Sequence, residues 1–457
     1  MVWPSFQLAL ADGIVHRLVF DSLDLPNTLM TRTVFGVAVA MFVFVPSILL
    51  IAVLGIWWER KVAGRIQSRP GPNRVGPIGI LQSFADGIKL ITKEDLRPAG
   101  ADAVLFKIAP YLAFIPVFAV FLALPFGPDM TFEPRLSAGV FWILAMMAIE
   151  VIGVILAGWS SNNKWSLYGA MREACQIVSY EVPLGLSIIV GVMAAGTLNM
   201  VQLGHLQGGG IHTWLVFQNP FAMGAFVVYF IASLASNKRA PFDLPESDSE
   251  LVAGYHTEYS GMRFAFFFFA EYAAMFVVAG IQVGLFLGGW HDPLGLIGYF
   301  DAAWRPAWQA NPTLASAWPL LLLNVVGVGI FVGKCILLVF VQMWLRWTLP
   351  RPRIDQVLYT CIKVLLPLTC VLLLGTALWQ LLIAPMPGVP WRDFNPYLPR
   401  DWSVAGSLGA FVAQMILANL GGAVIGTIVF WIVHARGLDP GRRHKKRLTD
   451  PAPIPVP

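Results

Sequence analysis

The chain has 457 residues, of which 57% are hydrophobic and only 12% are charged. A soluble core in a chain of this length cannot bury so much apolar surface, so the composition excludes a water-soluble globular protein and predicts a membrane protein. The net charge of +5 is explained by basic loops on one side of the membrane, and nucleic-acid binding need not be invoked.

The chain begins with a polar lead and continues with nine apolar runs. Asp12, Asp21 and Asp24 precede any long apolar run, which is not the pattern of a cleaved secretory signal, so residues 1–31 are expected to remain as an exposed segment. Most of the runs are near the roughly 20 residues that a membrane-crossing helix needs, and the fifth is short. They lie at about 32–57, 104–124, 138–159, 176–196, 221–235, 264–289, 318–345, 364–385 and 405–433.

Basic residues are concentrated in alternate connections between these runs. The stretches 60–107, 238–239 and 346–353 and the tail 435–457 are rich in lysine and arginine, whereas the other connections contain few of them. The positive-inside rule therefore places the N-terminus outside and the C-terminus in the cytoplasm. The basic, proline-rich tail can contact anionic membrane lipids.

After the first run, a stiff segment at 69–77 is followed by a short amphipathic pattern. Its apolar residues are Ile80, Leu81, Phe84, Ile88 and Ile91, and its polar residues are Gln82, Asp86, Lys89 and Lys93. The pattern predicts a helix too short to cross the membrane, lying on its cytoplasmic surface. This helix is either a plain anchor, or its polar stripe with Asp86 forms the wall of a cavity.

Two groups of ionisable residues indicate proton handling. The connection at 236–259 contains five carboxylates, Asp243, Glu246, Asp248, Glu250 and Glu258, and like charges this close raise one another's pKa. Glu150, Glu181, Glu271 and Lys334 lie inside apolar runs, where a charge costs about 3 kcal/mol. Each of them could be neutral or reach the membrane surface, but four together favour a buried polar path.

Three arginines, Arg346, Arg351 and Arg353, follow the seventh run. They either anchor the helix at the membrane boundary or hold carboxylates of the acidic connection or of a partner, because guanidinium groups bind carboxylates in bidentate geometry. The four cysteines are far apart, and the chain has no C-x-x-C or nucleotide-binding motif, so we expect no iron–sulfur, zinc or nucleotide site in this chain.

Several segments together resemble a known family. They are Glu59–Gln67, Arg69–Asn73, Phe84–Leu90, Gly158–Lys164, Ser179–Val182, Ala240–Glu246 and Gly254–Tyr259. In these segments the chain resembles the H subunit of bacterial NADH-quinone oxidoreductase, the NADH dehydrogenase subunit 1 family of respiratory complex I. The resemblance covers about residues 32–385 and implies an all-α polytopic core of eight helices in the bacterial inner membrane.

The family resemblance also implies roles for individual residues. A quinone chamber, formed with two soluble subunits, would involve Glu59, Arg60, Asp86, Arg239, Arg346, Arg351 and Arg353. A proton relay toward antiporter-like membrane subunits would involve Glu150, Glu181, Asp243, Glu246, Asp248, Glu250, Glu258 and Glu271. The substrate would be ubiquinone or menaquinone, while NADH, FMN and iron–sulfur clusters would bind to partner subunits.

The chain departs from the family pattern at three places. Ser236 stands where the family usually has a glutamate, so one expected carboxylate is missing, and Asp248 stands where glutamate is common. Residues 386–434 add a loop and a ninth span, and nothing is carried over from the family onto these residues or the tail.

Two other functions are considered beside a quinone-reducing proton pump. The membrane subunit of an energy-converting hydrogenase shares the ancestry and would place a similar acidic chamber beside a hydrogen-evolving partner. A stand-alone secondary transporter would also contain intramembrane carboxylates, but such proteins usually have two related halves, and this chain has no such repeat.

Overall fold

The computed structural model describes residue 42 and residues 45–131, 136–310 and 314–383. In this part of the chain every regular element is helical, which confirms the all-α class. The helices are α1 (Val45–Ile66), α2 (Gln82–Thr92), α3 (Ala103–Val120), α4 (Gly139–Ser160), α5 (Lys164–Ala195), α6 (Met200–Leu206), α7 (Leu215–Gln218), α8 (Pro220–Ser236), α9 (Asp248–Leu251), α10 (Gly261–Phe286), α11 (Leu296–Ala310), α12 (Leu314–Thr348), α13 (Ile354–Tyr359) and α14 (Leu366–Ile383). The predicted lead, ninth span and tail lie outside the described residues.

Six helical segments in the described residues are long and apolar enough to cross a membrane. They are α3, α4, α5, α10, α12 and the segment from α13 to α14, which continues through a π-helical turn at Thr360–Leu365. The short fifth run corresponds to α8, an apolar helix of 17 residues. These segments confirm a multi-pass membrane protein.

The first helix differs from its predicted boundary. The run at 32–57 was expected to end before the charged residues, but α1 continues to Ile66 and includes Glu59 and Arg60. These charges are tolerated in the helix because they have ionic partners on other elements, described below. Local hydropathy cannot detect such partners.

Helix α10 lies at the centre of the bundle. In its most apolar stretch, 78% of the residues are buried within the chain, against 28–44% in the other five membrane-length segments. Other helices cover most of this stretch, so a buried ionisable group on α10 packs against protein rather than lipid. Glu271 is such a group, and only 9% of it is exposed.

The connection between α8 and α10, residues 237–260, folds onto the beginning of α5 and forms the acidic loop. The side-chain amide of Gln176 donates to the carbonyls of Ala235, at 2.8 Å, and Phe242, at 3.0 Å. The amphipathic helix α2 packs against α1 and α10 on the same side of the bundle. Its apolar residues Phe84 and Ile88 remain exposed, as expected for a face that rests on a membrane.

The opposite end of α10 has a separate polar network. The Lys334 ammonium group donates to the carbonyls of Leu287, Gly289 and His291 at 2.6–3.0 Å. Lys334 lies about 18 Å along α12 from Arg346, given the helical rise of 1.5 Å per residue. The structure therefore places Lys334 far from the acidic loop. Its ammonium group binds backbone carbonyls at the opposite end of α10.

Candidate functional site

Four charged side chains from four segments meet beneath the acidic loop. Arg239 contacts Glu59 of α1, with Nη1 to Oε2 at 2.6 Å, and Glu271 of α10, with Nε to Oε1 at 2.5 Å. Arg346 of α12 contacts the other oxygen of Glu59 at 2.5 Å. We call these four residues the arginine–glutamate cluster. Their separation along the chain reaches 287 positions, so only the tertiary fold brings them together.

Three of the four residues of the arginine–glutamate cluster are buried, and the cluster has two basic and two acidic groups. Arg239 is 3% exposed and Glu59 is 5% exposed, and the guanidinium of Arg239 stacks on the ring of Tyr272 at 4.3 Å. Burial alone would lower the pKa of Arg239, but the charges of Glu271 and Glu59 outweigh it and hold this pKa well above its usual value. Two permanent cations therefore face two carboxylates, which is the arrangement that makes buried ions tolerable.

The adjacent residue, Lys238, points into a second cluster. Its backbone has a φ of 54°, in the left-handed region that non-glycine residues seldom adopt, and its Nζ lies 3.1 Å from Oε1 of Glu150 on α4. Burial alone would lower the pKa of Lys238, but the charges of Glu150, Glu173 and Glu246 raise it above its usual value. We call these four residues the lysine–glutamate cluster. One tight turn thus supplies one cation to each cluster.

Glu173 was not among the predicted site residues, and Lys238 served only to orient the chain. Glu173 follows Arg172 and precedes the predicted run at 176–196, so it resembled a surface residue at the end of a helix. In the structure it is completely buried on α5. A signal was present, because Glu173, Gln176 and Tyr180 form a stripe at helical spacing.

Other carboxylates of the acidic loop attach it to neighbouring elements. Arg351 contacts Asp243 at 3.1 Å and also the hydroxyl of Ser247. Two further contacts join the loop to α5 and its N-cap: Arg172 with Glu250 at 2.5 Å, and the amide of Asn163 with Glu258 at 2.5 Å. Arg351 therefore holds a loop carboxylate, one of the two roles considered for the three arginines.

The burial of Asp243 makes it sensitive to pH. Burial is the main cause that raises the pKa of Asp243, to about 6; Glu246 adds to the rise, and Arg351 opposes it. Because this pKa exceeds the unfolded value, folding takes up a proton between about pH 4 and 6, so stability from this group declines as pH rises through that window.

We expect Asp243→Asn to remove an ionisation near pH 6 from the pH profile of electron transfer in the assembled complex. The measurement is the activity of inverted membrane vesicles between about pH 5 and 8. Replacing the exposed Glu94 with glutamine should leave the profile unchanged. An identical acid limb in Asp243→Asn and the parent would contradict this role.

A third group of predicted residues lies at the edge of the site. Arg60 on α1 contacts Asp86 on α2 at 2.5 Å, and the amide of Gln82 donates to the other oxygen of Asp86 at 3.1 Å. The side chain of Arg60 is 42% exposed, so the Arg60–Asp86 pair does not belong to the buried clusters. It lies at the exposed edge of the site, which we call the rim. Asp86 thus connects α2 to α1.

The structure does not bring all predicted residues together. Glu181 is exposed on the outer face of α5, and Arg353 is exposed at the start of α13. Asp248 begins α9, and its side chain is outside what the structure describes. The other predicted residues belong to the two clusters, to the acidic loop or to the Arg60–Asp86 pair.

A cleft of about 930 Å³ opens beside the rim, between α1, the turn at 69–73 and α12. Trp57, Trp58 and Trp344 line it together with basic residues of α1. This volume is within the range of small-molecule sites, and the aromatic lining suits an apolar ligand with a polar head.

Comparisons with known proteins identify the family of the chain. The family model described as NADH dehydrogenase matches residues 38–377, within a few positions of the resemblance predicted for 32–385. The NADH-quinone oxidoreductase H subunit of Anaeromyxobacter dehalogenans is 46% identical over 352 residues, covering 77% of this chain and 84% of the relative. The protein of the same name from Chlorobium luteolum is 47% identical over 334 residues, covering 72% and 85%.

A third relative, the NADH-quinone oxidoreductase H subunit 2 of Cytophaga hutchinsonii, is 43% identical over 358 residues, covering 73% of this chain and 96% of its own. The residues that the family model matches include both clusters and the acidic loop. The extent of these matches shows that the chain is a multi-pass membrane protein of the NADH dehydrogenase family, which includes the H subunit of NADH-quinone oxidoreductase.

Proposed function

We propose that this chain is the membrane subunit of a proton-pumping NADH:quinone oxidoreductase, where it forms a quinone chamber with soluble partner subunits. The proposal rests mainly on the arginine–glutamate cluster, which connects the partly exposed Arg346 to a buried carboxylate on the central helix. NADH, FMN and iron–sulfur clusters bind to the partners, and the quinone is the substrate. The acidic loop faces the cytoplasm, as the charge bias predicts.

Three partly exposed arginines are suited to a quinone that gains negative charge. The side chains of Arg60, Arg346 and Arg351 are 30–42% exposed, and each contacts a carboxylate that is less exposed than itself. A guanidinium group offers several N–H donors to an oxygen that becomes charged during reduction. These arginines would thus stabilise the negative charge that the quinone gains.

The same arginines can transmit the change in charge. Two unit charges about 5 Å apart at an effective dielectric near 20 interact by about 3 kcal/mol. This equals about two pKa units, enough to change the protonation of a carboxylate that is poised near neutrality. Arg346 shares Glu59 with Arg239, and Arg239 contacts Glu271, so a charge near Arg346 acts on the interior through three successive ion pairs.

A relay of several groups carries protons better than a single site. Moving one charge against a potential of about 100 mV requires about 2.3 kcal/mol, which is most of what one local interaction supplies. We propose that Glu150, Glu246, Glu250 and Glu258 continue the route that begins with the arginine–glutamate cluster. Glu181, on the outer face of α5, would pass protons to a neighbouring membrane subunit.

The test is Glu59→Gln in the complete complex in inverted vesicles. Because the glutamine cannot balance Arg239 and Arg346, we expect quinone reduction to fall by about tenfold or more. Electron transfer from NADH to a water-soluble acceptor should be unchanged, since that reaction uses only partner subunits. The control is Glu94→Gln, at an exposed carboxylate. If the Glu59→Gln complex reduced quinone at the wild-type rate, the proposed chamber would be overturned.

A further inference from the structure

Glu173 on α5 is a buried acid that the proposed chamber does not use. Its exposure is 0%, and neither carboxyl oxygen has a hydrogen-bond partner among the described residues. An ionised carboxylate in such a place loses its hydration and gains no hydrogen bond in return. This side chain therefore needs an explanation other than structural pairing.

The neighbours of Glu173 along α5 show which way it faces. One turn earlier, a Cβ on Gly169 would approach the carbonyl oxygen of Pro245 to 2.9 Å, so the helix touches the acidic loop there. Three residues later, Gln176 donates to the carbonyls of Ala235 and Phe242. Positions four before and three after a residue share its helix face. Glu173 therefore faces the turn that contains Lys238.

The charges around Glu173 do not balance if every group is ionised. The lysine–glutamate cluster has one cation, Lys238, and three carboxyl groups. Glu150 contacts Lys238 at 3.1 Å, and Glu246 accepts a hydrogen bond from the Tyr255 hydroxyl at 2.8 Å. Of these three acids, Glu173 alone contacts neither a cation nor a hydrogen-bond donor in the described part of the chain. It is therefore the group whose ionisation costs the most free energy.

We infer that Glu173 is a proton-binding site. Its carboxyl group holds a proton while Lys238 is paired with Glu150. When charge in the cluster changes, the O–H bond breaks and the proton passes to a neighbouring carboxylate, leaving the Glu173 carboxylate to face Lys238. No oxidation or reduction is involved. This inference rests on the proposed function, because turnover at the quinone chamber would supply the change in charge.

The location of Glu173 also fits the departure of this chain from the family pattern at Ser236. The family resemblance predicts a carboxylate at position 236, at the end of α8, where this chain has a serine. The preceding carbonyl, of Ala235, is bound by Gln176, within one turn of Glu173. Glu173 thus provides from α5 a carboxyl group near the place where α8 lacks one.

The test compares the complete wild-type complex with Glu173→Gln by infrared difference spectroscopy and by proton pumping in inverted vesicles. Glutamine keeps the size of the side chain and removes the titratable carboxyl proton. We expect the band of a protonated carboxyl group to change on reduction by NADH in the wild type and to be missing in the variant. Pumping should fall by about tenfold or more, as for loss of a proton-transfer group. Glu94→Gln should retain the band and the pumping.

Two further outcomes are decisive. If Glu173→Gln has the wild-type spectrum, the proton is not on Glu173 and the inference is overturned. If the glutamine variant does not assemble, Glu173→Asp replaces it: a displaced carboxyl band supports the inference, and an unshifted band overturns it. A wild-type complex that reduces quinone without pumping would refute the proposed function, while the loss of the band in the variant would still identify Glu173 as the protonated group.

Discussion

Replacing Arg239 with alanine should destabilise the subunit by about 3–5 kcal/mol, the usual result of removing one partner from a buried ion pair. The substitution leaves the buried Glu271 without its cation and the buried Glu59 with Arg346 alone. It also removes the guanidinium stacked on Tyr272. We therefore expect the complex to contain little of this subunit and to reduce quinone very slowly. The measurements are subunit abundance in membranes and the thermal unfolding of the purified complex.

Two comparisons separate charge from general damage. Arg97→Ala removes an arginine that is exposed, and it should be neutral. Adding Glu271→Gln to Arg239→Ala removes the stranded charge, because Glu59 still has Arg346, and it should restore part of the lost stability, though not quinone reduction. If Arg239→Ala were as stable as Arg97→Ala, the arginine–glutamate cluster would have no role in holding the fold together.

The second large effect is expected for Gly254→Ala in the acidic loop. A Cβ at this position would lie 1.8 Å from the carbonyl oxygen of Pro245, and both groups belong to the backbone. Because the residue also has a φ of +64°, the substitution adds about 1–2 kcal/mol of conformational strain to about 1–3 kcal/mol or more of overpacking. The loop must open to accommodate the methyl group, which moves Glu246 and Tyr255 apart.

The matched control is Gly196→Ala, after α5. Its φ of +71° is nearly the same, but no atom other than those of its sequence neighbours lies within 4 Å of the added Cβ. This variant should show the strain alone, with full quinone reduction, whereas Gly254→Ala should lose both stability and quinone reduction. The readouts are thermal unfolding and quinone reduction by the assembled complex. Equal losses in the two variants would mean that the contact with Pro245 does not matter.

The membrane class and most helices follow from composition and the lengths of apolar runs. Hydropathy is a local property, and each membrane-crossing helix satisfies its own backbone hydrogen bonds, so segments such as Gly139–Ser160 are predictable within a few residues. The acidic loop is also visible in the sequence, because five carboxylates in 236–259 are unusual for a connection. The boundary of α1 was missed, since its charges depend on partners far away in the chain.

Composition and local patterning predict a multi-pass helical membrane protein with an acidic connection and ionisable groups in its spans. The pairing of those groups depends on the folded chain: it joins Glu59 to Arg239 and Arg346, and it leaves Glu173 buried without a hydrogen-bond partner among the described residues. Residue type and spacing reveal a charge, whereas the free-energy cost of that charge depends on the burial and neighbours that distant segments supply. Lys238 and Arg239 show the difference, because two adjacent basic residues that appeared alike in sequence enter different clusters.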